Sequence, residues 1–183
     1  VPPGTRLYAD AGNAFFWASH YWHPRCERVV EANRMPISMG FAAMGWAMGA
    51  AIGGKLAGPR NPVLCITGDG SYLMNAQEIS VAQQLGINVV LLVLNNGVLG
   101  TVKHGQRMRG LEDTGNELPA TDFALMARAM GIESHRIRSL DELDALGVAS
   151  LFRREGPVLL DVLVDPAIAP PIGQRVRNLQ APA

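Results

Sequence analysis

Three short apolar runs set the frame of the chain. They are Val63-Leu64-Cys65-Ile66-Thr67, Asn88-Val89-Val90-Leu91-Leu92-Val93-Leu94 and Val158-Leu159-Leu160-Asp161-Val162-Leu163-Val164. Runs of this length, rich in β-branched residues, predict strands buried on both faces of a parallel sheet. Arg6-Leu7-Tyr8-Ala9-Asp10 reads as a first strand, and Asp165-Pro166 ends the last one. Between the first two runs, Leu73 to Leu85 holds no Gly or Pro and places Ala76, Ile79 and Ala82 at helical spacing. Gly86 stands where a helix C-terminus needs it. Together these make one βαβ unit. Asp122 to Met130 predicts a short helix with Gly131 beyond its end, and Ser139-Leu140-Asp141-Glu142 fits a capping box opening a helix towards Arg154. The fold class expected is α/β, a three-layer parallel sheet with helices on both faces.

One stretch breaks this pattern. Met35 to Gly54 is 20 residues without a charge, long enough to raise a membrane helix, and Gly45, Gly49 and Gly53 repeat at small-xxx-small spacing. Pro36 at its start, its Gly/Ala composition and the strand that follows Gly58-Pro59-Arg60-Asn61-Pro62 argue against that reading. A Gly-lined helix packed closely against another helix or a ligand is expected instead.

Composition narrows the class further. A chain of 183 residues is one domain's worth of core. Lys and Arg number 16, as do Asp and Glu, so no basic excess points to nucleic acid. Two cysteines, Cys26 and Cys65, make no disulfide framework, and a reduced cytoplasmic protein is the expectation. Val1-Pro2-Pro3-Gly4 reads as an interdomain linker, so the chain is expected to be part of a longer protein. His20, Trp22 and His23 cluster without a Cys or acidic partner at ligand spacing, and aromatic packing is expected there rather than a metal.

The chemistry gathers at strand ends. Gly68-Asp69-Gly70-Ser71 follows the first long run and Asn95-Asn96 follows the second, with 24 residues, Ser71 to Leu94, between them. Both fall at carboxyl ends of adjacent strands, where open α/β sheets bind ligands. Asp69 offers a carboxylate and Asn96 an amide oxygen, the hard donors that Mg²⁺ takes together with phosphate oxygens and water. Gly70 allows close approach of backbone, and Ser71 with the amides opening the next helix suits an anion. A solvated turn followed by an ordinary Asn-Gly turn is the other reading. The pairing across one βαβ unit favours a Mg²⁺-bridged diphosphate.

Gly-Asp-Gly-Ser followed 24 residues later by Asn-Asn resembles the cofactor signature of thiamine diphosphate-dependent enzymes. The surroundings look like the acetolactate synthase and 2-oxoacid decarboxylase branch. The resemblance covers nearly all of 1–183, and implies a single C-terminal diphosphate-binding domain with the thiamine diphosphate-binding fold. Residues 1–4 are then linker and 166–183 an extended C-terminal arm. It further implies thiamine diphosphate and Mg²⁺ as cofactors. Asp69, Asn96 and the backbone carbonyl of Val98 would hold the metal. Gly12 and Asn13, flanked by Ala11 and Ala14, would touch the diphosphate beside Gly70 and Ser71, and Leu99, Gly100 and Thr101 would border it or the reacting centre. Met44 matches the bulky apolar residue that props the cofactor bent, with the Ala42 carbonyl and the Met44 N–H at the pyrimidine edge. Lys103 to Pro119 reads as an irregular segment of the kind that closes over such sites, and His104 is its candidate polar neighbour of a substrate.

The resemblance also implies what this chain lacks. In the family a glutamate on a separate pyrimidine-binding domain starts the chemistry by helping to deprotonate the thiazolium. A 2-oxoacid is then attacked, CO₂ leaves and the cofactor holds the electrons. Glu31 and Glu78 have no motif support for that role, so no catalytic residue is assigned in 1–183. The partner domain would lie in the same longer chain or in another subunit of a homodimer or tetramer, with neither nucleic acid nor membrane involved. Gly105 stands where the branched-chain biosynthetic enzymes carry a tryptophan, and Asn95-Asn96-Gly97 also resembles aryl 2-oxoacid decarboxylases. Transfer of the acyl unit to a second carbonyl, release of an aldehyde, and a non-catalytic cofactor-binding assembly module are the functions expected, in that order.

Overall fold

The structure is a computed structural model and describes residues 1–22, 34–38 and 40–171. His23, Cys26, Glu31 and the arm beyond residue 171 lie outside the described residues. Five strands pair in parallel: β1 (Arg6–Ala9), β2 (Val63–Gly68), β3 (Val90–Asn95), β4 (Glu133–Ile137) and β5 (Val158–Leu163), in the order β1-β2-β3-β5-β4. The helices are α1 (Asn13–Tyr21), α2 (Trp46–Ala57), α3 (Asp69–Asn75), α4 (Ile79–Gln84), α5 (Gly100–Met108), α6 (Phe123–Ala129), α7 (Leu140–Ala145) and α8 (Val148–Leu151).

Alternation along the strands builds two cores. Register pairs Cys65 with Leu91 and Leu91 with Leu159, a row that meets Met48, Ala51, Tyr72, Ile79 and Phe123 from α2, α3, α4 and α6. The neighbouring row, Leu64 with Val90 and Val90 with Val158, packs on the opposite face with Ala18 of α1 and Leu151 of α8. Each Val, Leu, Ile, Phe or Met side chain so buried contributes about 1.5–3 kcal/mol. The continuous apolar runs are thus strands covered on both sides, and the three-layer α/β architecture holds. No helix among the described residues is long and apolar enough to cross a membrane.

Several elements differ from the expectation. Helix α2 starts at Trp46, so Met35–Ser38 and Gly40–Met44 are not helical. Pro36 disfavours helix in the residue before it, Ala42 has φ 48° and Gly45 is left-handed at φ 86°. The crossover helix begins at Asp69 rather than Leu73 and is broken by a 3-10 turn at Ala76–Glu78, because Asn75 leaves helical geometry at φ −151°. Lys103 to Met108 belongs to α5 rather than to an irregular loop. The helix opened by Ser139 stops at Leu146, where Gly147 turns left-handed at φ 59° before α8. Strand β4 was not expected: Glu-Ser-His-Arg-Ile carries one buried residue, Ile137, and sits at the sheet edge.

Candidate cofactor site

The carboxyl ends of β1, β2, β3 and β5 surround one cavity of about 650 Å³, within the usual range for small-molecule sites. Three helices start on it. Gly12–Ala14 open α1, Asp69–Ser71 open α3 and Gly100–Val102 open α5, and none of these starts has a side-chain cap. Away from the cavity the starts of α6 and α7 are capped by Asp122 and Ser139, while those of α2, α4 and α8 have no side-chain cap either. Uncapped first-turn N–H groups carry the positive end of the helix dipole, and α1 and α5 are long enough to express it. The cavity rim therefore favours an anion.

The backbone comes close to itself here. Gly12, at φ 98° and ψ −155°, occupies a region that only glycine enters easily. Gly100 is wedged between two amides: a Cβ on it would meet Asn13 Nδ2 and lie 3.3 Å from Asn96 Nδ2. Thr101 Oγ1 donates to Asn13 Oδ1 at 3.1 Å, joining the starts of α5 and α1.

Asp69 forms the floor. Its Oδ2 accepts the N–H groups of Asn96 and Gly97 at 3.0 and 2.7 Å, and its Oδ1 accepts that of Gly70 at 2.8 Å. Burial pushes its carboxyl above the ordinary value, against the pull of these peptide donors. Among the described residues no Lys, Arg or His pairs with it. A buried carboxylate without a cationic partner calls for one. Ser71 Oγ is buried beside it without a hydrogen-bond partner. These two groups fit a divalent cation bridged to a phosphate. No cluster of three or more His, Cys, Asp or Glu exists among the described residues. The hard oxygen donors that line the cavity here are the Asp69 carboxylate and the Asn96 amide, which suit a cation completed by ligand oxygens.

The two asparagines face opposite ways. Asn95 is buried, and its Nδ2 donates to Asp161 Oδ1 at 2.8 Å and Thr121 O at 3.0 Å. Asn96 lines the cavity, its Oδ1 accepting the Val98 N–H at 3.2 Å. Residues 97–99 are strapped by 116–118: Leu99 N donates to Asn116 O at 2.7 Å and Leu118 N to Gly97 O at 2.8 Å.

Asp10, just beyond β1, is 2% exposed. Its carboxylate accepts the Ala11 N–H, the Thr67 hydroxyl and, through both oxygens, the Gly45 N–H, each at 3.0 Å. Asn75 Nδ2 donates to the Gly45 carbonyl from the other side. Met44, next in chain to Gly45, lines the cavity, its Cε 3.5 Å from where a Cβ on Gly70 would stand.

Of the expected site residues, Ala11, Gly12, Asn13, Ala14, Met44, Asp69, Gly70, Ser71, Asn96, Val98, Leu99, Gly100 and Thr101 meet at this cavity. Ala42 does not line it; it is exposed, with its N–H bonded to Ser38 O. His104 lies on α5 away from the lining, its Nε2 buried and unpaired, and burial, then Arg107 and Lys103, push its pKa down. His20 is exposed and meets Tyr21 edge-on, and Glu78 is exposed. Sequence reasoning missed the wall formed by Trp17 and Tyr21, stacked at 5.9 Å, and its neighbours Val102, Val164 and Ile168. Trp17 and Tyr21 stand four apart, one helical turn, which is the signal that could have paired them. It missed Asp10, Asn75 and Asp161 as well.

Uncapped helix starts around an uncompensated carboxylate, at the carboxyl edge of a parallel sheet, define a domain that holds an anionic cofactor. Residues 10–162 match the family described as "Thiamine pyrophosphate enzyme, C-terminal TPP binding domain". The chain belongs to that family. It is similar to the "Probable acetolactate synthase large subunit" of Methanocaldococcus jannaschii, 35% identical over 97% of this chain and 30% of the relative. It is also similar to acetolactate synthase isozyme 2 large subunit of Escherichia coli, 33% identical over 90% of this chain and 29% of the relative. With the acetolactate synthase large subunit of Haemophilus influenzae it shares 41% identity over 70% of this chain and 23% of the relative. The chain thus spans less than a third of these relatives.

Proposed function

We propose that this chain is the diphosphate- and Mg²⁺-binding half of the active site of an acetolactate synthase-like enzyme. Such an enzyme decarboxylates a 2-oxoacid and passes the acyl unit to a second carbonyl. The observation that carries the reading is the uncompensated Asp69 carboxylate beside the unpaired Ser71 hydroxyl, ringed by the open starts of α1, α3 and α5.

When bound, thiamine diphosphate supplies the electron sink for cleavage beside the carbonyl, which no side chain can match. The residues of this chain bind and orient. Asp69, Asn96 and the Val98 carbonyl hold Mg²⁺, while the N–H groups at Gly12–Asn13 and Gly100–Thr101 and the Ser71 hydroxyl hold phosphate oxygens. Met44 and Leu99 offer an apolar wall that excludes water from the reacting end. Besides Asp69 the lining holds one other carboxylate, Asp165, and no Glu, Lys, Arg or His among the described residues; proton transfer is assigned to the glutamate of a pyrimidine-binding domain, in the same longer chain or another subunit of a homodimeric or tetrameric parent. Residues 1–183 alone should be inactive, and turnover by them at the rate of a complete enzyme would refute this division.

Release of an aldehyde is the second reading. Gly105 supports it: it brings no side chain at the position where the resembled biosynthetic enzymes carry a tryptophan. Product analysis with a single 2-oxoacid separates the two. Calorimetric titration with thiamine diphosphate, with and without Mg²⁺, tests the site itself. Binding should need the metal and be lost in Asp69→Ala. Metal-independent binding, or native-like binding by the variant, would overturn the assignment.

A further inference from the structure

The Gly45 peptide is gripped from two sides by side chains of different elements. Asp10, at the end of β1, takes its N–H with both carboxylate oxygens at 3.0 Å, and Asn75, at the end of α3, gives Nδ2 to its carbonyl. Gly45 is buried and left-handed, and a Cβ there would press on the Asn75 amide at 3.2–3.4 Å. Asn75 itself departs from helical geometry, and the crossover helix breaks at that point.

The residue before Gly45 is Met44, whose side chain stands in the cavity beside Gly70. The backbone ahead of Met44 has little of its own to hold it: Phe41 is 98% exposed, and residues 41–44 are all exposed. Methionine is flexible about three bonds. Nothing local therefore fixes where Met44 points. The grip on Gly45 does limit it, because the Met44–Gly45 peptide it holds carries the Met44 Cα and so sets where the side chain starts.

We infer that Asp10 and Asn75 are positioning residues that act together through Gly45 to aim Met44 at the non-phosphate part of the bound cofactor. Neither touches the cavity. This rests on the thiamine diphosphate reading, so the test separates the two.

The experiment measures affinity of the full-length protein for two probes with Mg²⁺, thiamine diphosphate and inorganic pyrophosphate. Pyrophosphate reports on the phosphate end alone. Asn75→Ala should weaken thiamine diphosphate about 5–10-fold and pyrophosphate less than about 2-fold, a difference of roughly 1 kcal/mol. Asp10→Asn should do the same, and the double variant should be no worse than the weaker single one, as expected for residues sharing one target. In a Met44→Ala background the effect of Asn75→Ala should vanish. Equal weakening of both probes, additive losses, or an undiminished effect without Met44 would overturn the inference. Failure of the native protein to bind either probe would instead overturn the cofactor reading, and this inference with it. Thermal melts without ligand check folding. Should Asn75→Ala not fold, Asn75→Asp keeps its volume and turns an acceptor towards the Gly45 carbonyl, and the same pattern is expected of it.

Discussion

Replacing Asp161 with alanine should be among the most damaging single changes outside the cavity. The side chain is fully buried in β5. It accepts Asn95 Nδ2 at 2.8 Å and the Phe123 N–H, at the start of α6, at 3.1 Å. Arg136 is a weaker neighbour at 3.6 Å and keeps Asp122 at 2.7 Å in any case. Alanine leaves the Phe123 N–H with no partner, at about 1–3 kcal/mol, and removes a charge-assisted bond from Asn95 worth about 1.5–3 kcal/mol. Asn95 keeps Thr121 O, so the total is about 3–5 kcal/mol rather than more. For a chain of this size that lowers the melting temperature on the order of 10 °C. Melting by circular dichroism, without cofactor, measures it. Asp122→Ala is the comparison: it loses one helix cap and one part-exposed ion pair, and should cost about 1–2 kcal/mol. If Asp161→Ala melted no lower than Asp122→Ala, the reasoning from unpaired buried donors would be wrong.

Further expectations concern other parts of the molecule. Gly100→Ala drives a methyl into the Asn13 amide, so thiamine diphosphate affinity should fall at least about 10-fold with a much smaller fall in melting temperature, read by titration and melting side by side. Asp122 has its carboxyl held down: burial raises it, but the Leu125 N–H and Arg136 outweigh burial. Its contribution is therefore present above the ordinary carboxylate pKa and lost as pH falls through the lowered one. Native protein should lose stability more steeply than Asp122→Ala on acidification below about pH 4, and parallel profiles would contradict this. Asp10 has the opposite sign. Burial raises its carboxyl despite Thr67 and the peptide donors, so its ionisation costs the fold something as pH rises from the unfolded value through the raised one. The Cys65 thiol is pushed far up by burial and then by Asp10. In a Cys26→Ser background its alkylation at neutral pH should follow global unfolding, and rapid labelling of folded protein would count against the buried position.

The sheet was legible because buried parallel strands are apolar on both faces, as in Val90–Val93 and Val158–Leu160. Strand β4 was not, because an edge strand can be Glu-Ser-His-Arg and still pair. The cavity residues that a motif names, Asp69 and Asn96 above all, came directly from spacing. Those that tertiary structure recruits did not. Asp10 looks like the last residue of a strand, and only the fold brings Gly45, 35 positions away, onto its carboxylate. The uncharged stretch from Met35 to Gly54 read as helical from Gly45, Gly49 and Gly53, yet Pro36 and the left-handed Gly45 keep Met35–Ser38 and Gly40–Met44 out of that form. Trp17 and Tyr21 read as packing residues because nothing in α1 alone says which side is hollow.

Asn95 and Asn96 are adjacent in sequence and belong to different systems. At the end of an extended strand, neighbouring side chains point in opposite directions, so the first amide is spoken for by the scaffold and the second is left to the solvent-filled side. A library that randomises the two positions together should therefore sort into two populations. Changes at the first would be rescued by cooling or stabilising solutes, changes at the second only by more ligand or metal. One strand end thus works as a partition between heritable information about shape and heritable information about chemistry, drawn between two copies of the same amino acid.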